Sequence, residues 1–364
     1  MQKDYGEDCC MSRTVVLTGG GTAGHVTPNL AIIPKLKEMD FHIEYIGTKN
    51  GMEHEIIAKT ELPYHVISAG KLRRYFSLKN FTDPAKIFAG YIQAKRILKK
   101  LQPNVVFSKG GFVSVPVVFA AHKLGIPVVL HESDYTPGLA NRLCIPRANK
   151  ICVAFSSALK SIPEGKGVYT GLPIRESLLR GSREAGLKLC GFSGKKPVLL
   201  VMGGSLGAQA VNVVLDSIMK DLTKTFDVIH IRGKENRLSG FLPVGYEQFG
   251  YVDSELPDLY AASDIMLSRA GATAVFEILA LALPALLIPL SKASSRGDQE
   301  LNAKYFKEQG FSHVLPQEDM NAETLMNAIT DLYKNADKLK KRMKQEHAAD
   351  AADNVARIIA DAAK

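Results

Sequence analysis

The sequence predicts an α/β fold with two doubly wound, Rossmann-like halves whose parallel sheets face a deep cleft. Three observations carry this expectation. Short β-branched runs alternate with segments of helical periodicity, the mark of parallel strands covered on both faces. Each half opens on a strand, a glycine loop and a helix: residues 15–18 before Gly19-Gly20-Gly21, and residues 197–202 before Gly203-Gly204. The length, 364 residues with 46% apolar content, suits two domains with ordinary cores.

In chain order, the first half reads as strands at 15–18, 42–47, 64–67, 104–108, 127–131, 150–153 and 167–170. A helix is expected over about 25–39. Another spans 84–101, where Ile87, Tyr91, Ala94, Leu98 and Leu101 recur at helical spacing and form a buried stripe. After Gly171-Leu172-Pro173 the pattern restarts, with strands at 197–202, 226–231, 249–252, 264–268, 284–288 and 312–315, a helix from 208 and a helical tail over 321–363. Ligands of such sheets bind outside the carboxyl ends of the strands, so both glycine loops are expected to face the cleft. Residues 1–12 are polar, show no signal peptide and read as a flexible extension.

The longest apolar run, 278–290, is interrupted by Pro284 and Pro289. A membrane-crossing helix needs about 20 residues, so none is predicted. The five cysteines, Cys9, Cys10, Cys144, Cys152 and Cys190, form no CxxC pair and point to neither a disulfide framework nor zinc. A reducing cytosol fits this usage. The net charge of +9 is unevenly placed: residues 1–175 hold 23 basic and 13 acidic residues, the remainder 23 and 24. Nine basic residues fall within 71–100, where Asp83 is the only acidic one. Leu72, Tyr75, Phe76 and Phe81 are interleaved with them. Basic and bulky apolar residues together suit an anionic bilayer surface. The charge alone also suits nucleic acid.

Gly19-Gly20-Gly21-Thr22-Ala23-Gly24-His25 contains GxGxxG between a strand and a helix, so its backbone can approach a diphosphate. A nicotinamide site would also want an acidic residue at the end of the second strand. Glu44 has the spacing but lies mid-strand, and the strand ends in Gly47-Thr48-Lys49. His25 is expected to start the helix, which would depress its pKa and leave a neutral imidazole able to accept a proton. Ser108-Lys109-Gly110-Gly111-Phe112 forms a second glycine turn. His131-Glu132-Ser133-Asp134 ends a strand, so its polar groups are expected to project toward the cleft, suiting a sugar-binding pair, a catalytic dyad or a helix cap. Arg175 suits a phosphate or a carboxylate. Gly203-Gly204-Ser205-Leu206-Gly207-Ala208 can hold an anion but lacks the GK[ST] of a nucleotidase. Glu277, in the helix after Arg269-Ala270-Gly271-Ala272-Thr273-Ala274, can accept both ribose hydroxyls, and Gly297-Asp298-Gln299 can bind sugar hydroxyls or simply cap its helix.

Seven of these stretches, 20–25, 110–114, 131–141, 171–175, 203–208, 269–277 and 298–303, resemble in order and spacing the MurG family of bacterial N-acetylglucosaminyltransferases. The resemblance implies a GT-B fold, with an acceptor- and membrane-binding domain over 13–174 and a UDP-sugar domain over 175–346. A terminal helix over 347–364 would return to the first domain. It implies inverting transfer from UDP-N-acetylglucosamine to undecaprenyl-linked muramoyl-pentapeptide, lipid I, giving lipid II. No metal, cofactor or nucleic acid is implied. Donor contacts fall on Thr22, Ala23, Gly24, Arg175, Ser205, Val252, Ala272, Thr273, Ala274, Glu277 and Gln299. Acceptor contacts fall on Gly20, Gly21, Gly110, Gly111, Phe112 and His131. His25 is the expected base, with Glu132 and Asp134 as alternatives. The family's membrane patch maps to Lys71, Leu72, Arg73, Arg74, Phe76, Lys79 and Phe81. This implies a peripheral protein on the cytoplasmic face of the bacterial cell membrane.

The chain departs from the family at Ala23, Ser133-Asp134, Leu206 and Asp298, where Gly, Gln-Asn, Gln and Gln are common. A transferase of the same architecture with another lipid or small-molecule acceptor is the alternative.

Overall fold

The computed structural model describes residues 13–70, 83–203, 208–233, 235–290, 297–346 and 348–364. The chain forms two compact units. Pro137–Thr170 and Ala352–Lys364 join the residues up to Glu132 in the first, while Ser133–Thr136 and Gly171–Ala351 make the second.

The first unit is a seven-stranded sheet of order β3-β2-β1-β4-β5-β6-β7, parallel throughout. The strands are β1 (Thr14–Thr18), β2 (His42–Gly47), β3 (Tyr64–Val66), β4 (Val105–Ser108), β5 (Val128–Glu132), β6 (Lys150–Val153) and β7 (Gly167–Tyr169). Crossovers run through α1 (Thr27–Glu38), α2 (Met52–Ile57), α3 (Asp83–Leu101), α4 (Ser114–Lys123) and α5 (Leu139–Cys144). β1 lies between β2 and β4, and Thr18 pairs with Ile46 and Ser108, so the loops after all three strands leave one edge together. Near-continuous apolar strands suit this two-sided burial: Val15, Val16 and Leu17 are fully covered.

The expected helix over 25–39 is not continuous. A 3-10 turn covers Ala23–His25, and α1 begins at Thr27 with Pro28 in its first turn, where a missing N–H costs nothing. His25 therefore precedes the helix instead of starting it. β5 runs one residue further than expected and takes Glu132 into the sheet, paired with Val153.

The second unit has six parallel strands in the order β10-β9-β8-β11-β12-β13. They are β8 (Val198–Met202), β9 (Asp227–Ile231), β10 (Tyr246–Phe249), β11 (Ile265–Ser268), β12 (Ala285–Leu287) and β13 (Ser312–Val314). The helices are α6 (Arg183–Cys190), α7 (Gln209–Thr225), α8 (Leu256–Ala262), α9 (Ala272–Leu281), α10 (Asp298–Glu308), α11 (Ala322–Lys334) and α12 (Ala336–Met343). The strand expected over 249–252 is displaced to Tyr246–Phe249. It is an edge strand with alternating burial, so Glu247 can sit in it facing outward, and apolar content alone misplaces it.

The final helix, α13 (Ala351–Ala362), packs on the first unit. Val355, Ala356, Ile359 and Ala363 make one stripe and join the cluster of Val15, Leu17, Phe41 and Tyr45. Asp353 meets Lys35 of α1 at 3.4 Å.

Candidate active site

In the first unit the loop after β1 is held from three sides. Tyr45 donates its phenol proton to the Gly19 carbonyl at 2.7 Å, and Asn29 donates to the same phenol oxygen at 3.2 Å. Glu53 of α2, fully buried, accepts the Gly21 and Thr48 amides at 3.1 and 3.2 Å and the Thr48 hydroxyl. Burial pushes the phenols of Tyr45 and Tyr64 far up, with Glu53's charge adding to both, so they stay protonated donors. A Cβ on Gly20 would lie 2.5 Å from the Glu53 carboxylate carbon, so a side chain there would displace the carboxylate that holds the loop. Gly111 combines a positive φ of 82° with a virtual Cβ only 2.1 Å from the Gly20 carbonyl oxygen, which binds the two glycine turns into one surface.

His25 closes that surface. Its Nδ1 lies 3.2 Å from the Gly20 carbonyl oxygen and 3.2 Å from the Thr22 hydroxyl. A carbonyl oxygen only accepts, so Nδ1 carries a proton, and whenever the ring is neutral its lone pair lies on Nε2. A cavity of about 700 Å³ opens beside the loop, lined in part by Gly21, Lys49, Glu53, Lys86 and Phe112. Ser114 donates to the Gly110 carbonyl at 2.7 Å, fixing the second turn.

At the end of β5, Glu132 is 4% exposed and accepts from the Gly138 amide at 3.0 Å and from Asn141 at 2.9 Å, so it caps the start of α5. Asn141 also donates to the His131 carbonyl and stands against Gly110. His131 lies in the strand as expected, but it is fully buried there and does not project toward a cleft. Asp134 groups with the second unit. Glu44, the acidic residue weighed for a dinucleotide, is 6% exposed and bridges His42 and His65 at 2.9 and 2.6 Å.

In the second unit Glu277, on α9, is 7% exposed, and its Oε2 accepts the Tyr260 phenol proton at 2.9 Å. Burial raises the Glu277 carboxyl; the Tyr260 hydrogen bond and the Arg175 charge oppose that rise. The Nε of Arg175 is buried with no hydrogen-bond partner among the described residues. Gln299 accepts the Leu290 amide at 3.0 Å, and Asn302 donates to the Ala270 carbonyl at 3.1 Å. Together they tie α10 to Leu290 after β12 and to Ala270 before α9. Arg269 donates to the carbonyl of Ile288 and to Gln317, and its guanidinium pKa is lowered by burial. Val252 is buried after β10. Ala272, Thr273 and Ala274 make the first turn of α9, whose amides face outward from an N-terminus capped by extended Gly271.

Sequence reasoning missed Glu53, Tyr260 and a network on β9. Glu53 shares the α2 stripe with Ile56 and Ile57, and a carboxylate on an apolar stripe was its signal. In the network, His230 contacts the Tyr246 hydroxyl at 2.7 Å and Asn212 at 3.0 Å, while Arg232 pairs bidentately with Asp216 at 2.6 and 2.9 Å. Cys144, Cys152 and Cys190 are buried free thiols that burial pushes up to about 12. Ser205 and the patch residues Lys71, Leu72, Arg73, Arg74, Phe76, Lys79 and Phe81 lie outside the described residues, as does the side chain of Ala23.

Comparison with known proteins extends this picture. The N-terminal domain of glycosyltransferase family 28 matches residues 15–153, and its C-terminal domain matches 198–357. A Clostridium tetani protein named UDP-N-acetylglucosamine--N-acetylmuramyl-(pentapeptide) pyrophosphoryl-undecaprenol N-acetylglucosamine transferase is 52% identical over 351 residues, covering 96% of this chain and 98% of its own. A Clostridium kluyveri protein of the same name is 53% identical, with 95% and 99% covered. The crystal structure of Acinetobacter baumannii MurG superposes with a TM-score of 0.76 at 26% identity, covering 96% of this chain and 99% of its own. The two parallel sheets and the match along both halves give one conclusion: this chain belongs to glycosyltransferase family 28.

Proposed function

We propose that this protein transfers N-acetylglucosamine from UDP-N-acetylglucosamine to N-acetylmuramyl-(pentapeptide) pyrophosphoryl-undecaprenol, lipid I, forming lipid II. The observation that carries this reading is the 52% identity to a transferase of that name along 98% of its length. The 4-hydroxyl of the muramoyl sugar attacks the anomeric carbon of the donor, the bond to the UDP oxygen breaks, and the configuration inverts. His25 takes the hydroxyl proton on Nε2. The Gly20 carbonyl at Nδ1 supports this role, because it fixes the tautomer that a base needs. Glu132 fits the role less well, since its carboxylate already caps α5.

The glycine surface of Gly20, Gly21, Gly110 and Gly111, with Phe112, serves the acceptor diphosphate and sugar, while His131, fully buried in β5, supports that surface from behind. Arg175, Ser205, Val252, the α9 turn of Ala272, Thr273 and Ala274, Glu277 and Gln299 serve the donor. Thr22, Ala23 and Gly24 complete the donor contacts from the first loop. Glu277 receives the ribose hydroxyls, and helix N-terminal amides meet the charge that develops on the leaving diphosphate.

No described helix is long and apolar enough to cross a membrane. The protein works as a peripheral protein at the cytoplasmic face of the bacterial membrane, bound to anionic lipid through 71–92. Phe88, 65% exposed on basic α3, supports that attachment. The test is a transfer assay with labelled UDP-N-acetylglucosamine and a short-chain lipid I analogue. Label in the lipid product is the expected result. Turnover with another lipid acceptor but none with lipid I would replace this reading by the alternative one.

A further inference from the structure

We propose that Tyr260 is a positioning residue that orients Glu277 for the ribose diol and makes the donor site select nucleotides that carry both hydroxyls. The inference rests on the reading that Glu277 receives the ribose.

The two side chains come from different helices, α8 and α9, and meet in the interior: Tyr260 is 3% and Glu277 7% exposed. A carboxylate in such a place rotates freely about its last bond unless a donor holds one oxygen. The Tyr260 phenol does so at 2.9 Å on Oε2, which turns Oε1 into the acceptor offered to a ligand. Burial, with the nearby Glu277 charge, keeps the phenol protonated far above its ordinary range, so it donates at every working pH. Burial raises the Glu277 carboxyl, and the Tyr260 hydrogen bond and the Arg175 charge oppose that rise. A ligand that lacks hydroxyls brings no donor to the second Glu277 oxygen and leaves that buried acceptor unpaired. A site built to bind hydroxyls therefore penalises the deoxy analogue through its own unpaired oxygen.

The test is calorimetric titration of the full chain with UDP and with 2′,3′-dideoxy-UDP. The wild-type chain should prefer UDP by about ten- to a hundredfold. Tyr260→Phe should lose about tenfold in UDP affinity and leave dideoxy-UDP binding unchanged, so the preference collapses. Equal losses for both nucleotides, or no loss for either, overturn the inference while the transferase reading stands. A wild-type chain that does not bind UDP overturns both. Should Tyr260→Phe not fold, the comparison of Glu277→Ala with the Glu277→Ala, Tyr260→Phe double variant replaces it. Without a buried carboxylate to satisfy, phenylalanine is tolerated there, and the two should bind UDP equally. A further loss in the double variant overturns the inference.

Discussion

The chemistry of His25 turns on one proton. The Gly20 carbonyl at 3.2 Å requires a proton on Nδ1, so Nε2 is basic without any help from a carboxylate. His25→Ala should lower kcat about 10²–10⁴-fold while leaving UDP affinity and melting temperature near wild type. Near-normal turnover of the variant would transfer the role of base to another group. Glu53 acts one step further back. Its carboxylate accepts the amides of Gly21 and Thr48 and the Thr48 hydroxyl with no exposure to water. Glu53→Ala leaves buried donors unpaired and should cost about 1–3 kcal/mol for each group stranded. A melting-temperature series checks the stability loss. The same variant should raise KM for the acceptor, because the Gly20-Gly21 surface that Glu53 holds is the one proposed to serve the acceptor diphosphate.

Two elements illustrate how tertiary contacts rule secondary structure. α13 has a regular apolar stripe, but only packing decides which sheet that stripe meets. It meets the first unit, where Ile359 is fully buried among β1 and β2 side chains. Ile359→Ala should destabilise that unit by about 2–5 kcal/mol, read as an earlier loss of signal in urea. β9 carries the other case. His230 is buried beside Arg232, and burial first, then that charge, lowers its pKa from 6.5 to about 3. Above 6.5 both folded and unfolded chains hold a neutral ring. As pH falls from 6.5 towards 3, only the unfolded chain takes up the proton, so stability is lost with acidification. The loss should amount to about 2 kcal/mol by pH 5. His230→Gln should flatten that part of the melting-temperature profile; an unchanged slope would assign it to other groups.

At the scale of the molecule, charge separates the two halves. The surplus of ten basic residues lies within 1–175, and nine basic residues crowd 71–100. Neutralising Arg73, Arg74 and Lys79 together should weaken binding to anionic vesicles about a hundredfold, at about 1 kcal/mol per charge. UDP binding should be unchanged, since the proposed donor residues lie elsewhere. Sedimentation with vesicles of graded anionic lipid content, run beside UDP titration, reads both.

The sequence by itself determined the strands, because parallel strands buried on both faces are near-continuous apolar runs, and all but the edge strand β10 could be read from them. The glycine turns were legible as motifs, but that Gly111 admits no side chain follows only from its approach to the Gly20 carbonyl in the folded chain. Glu277 was legible too, as an acidic residue in a helix that small residues open. What only the tertiary structure decided is which polar groups meet. Gly20 and His25 are five residues apart, and folding brings the ring back onto the carbonyl. Glu53 reaches Gly21 across 32 residues of sequence, and Tyr260 reaches Glu277 from a neighbouring helix. A hydrogen bond needs its partners within about 3 Å at a fixed angle. Periodicity specifies which face of an element is buried, and carries no such information about the group that waits there.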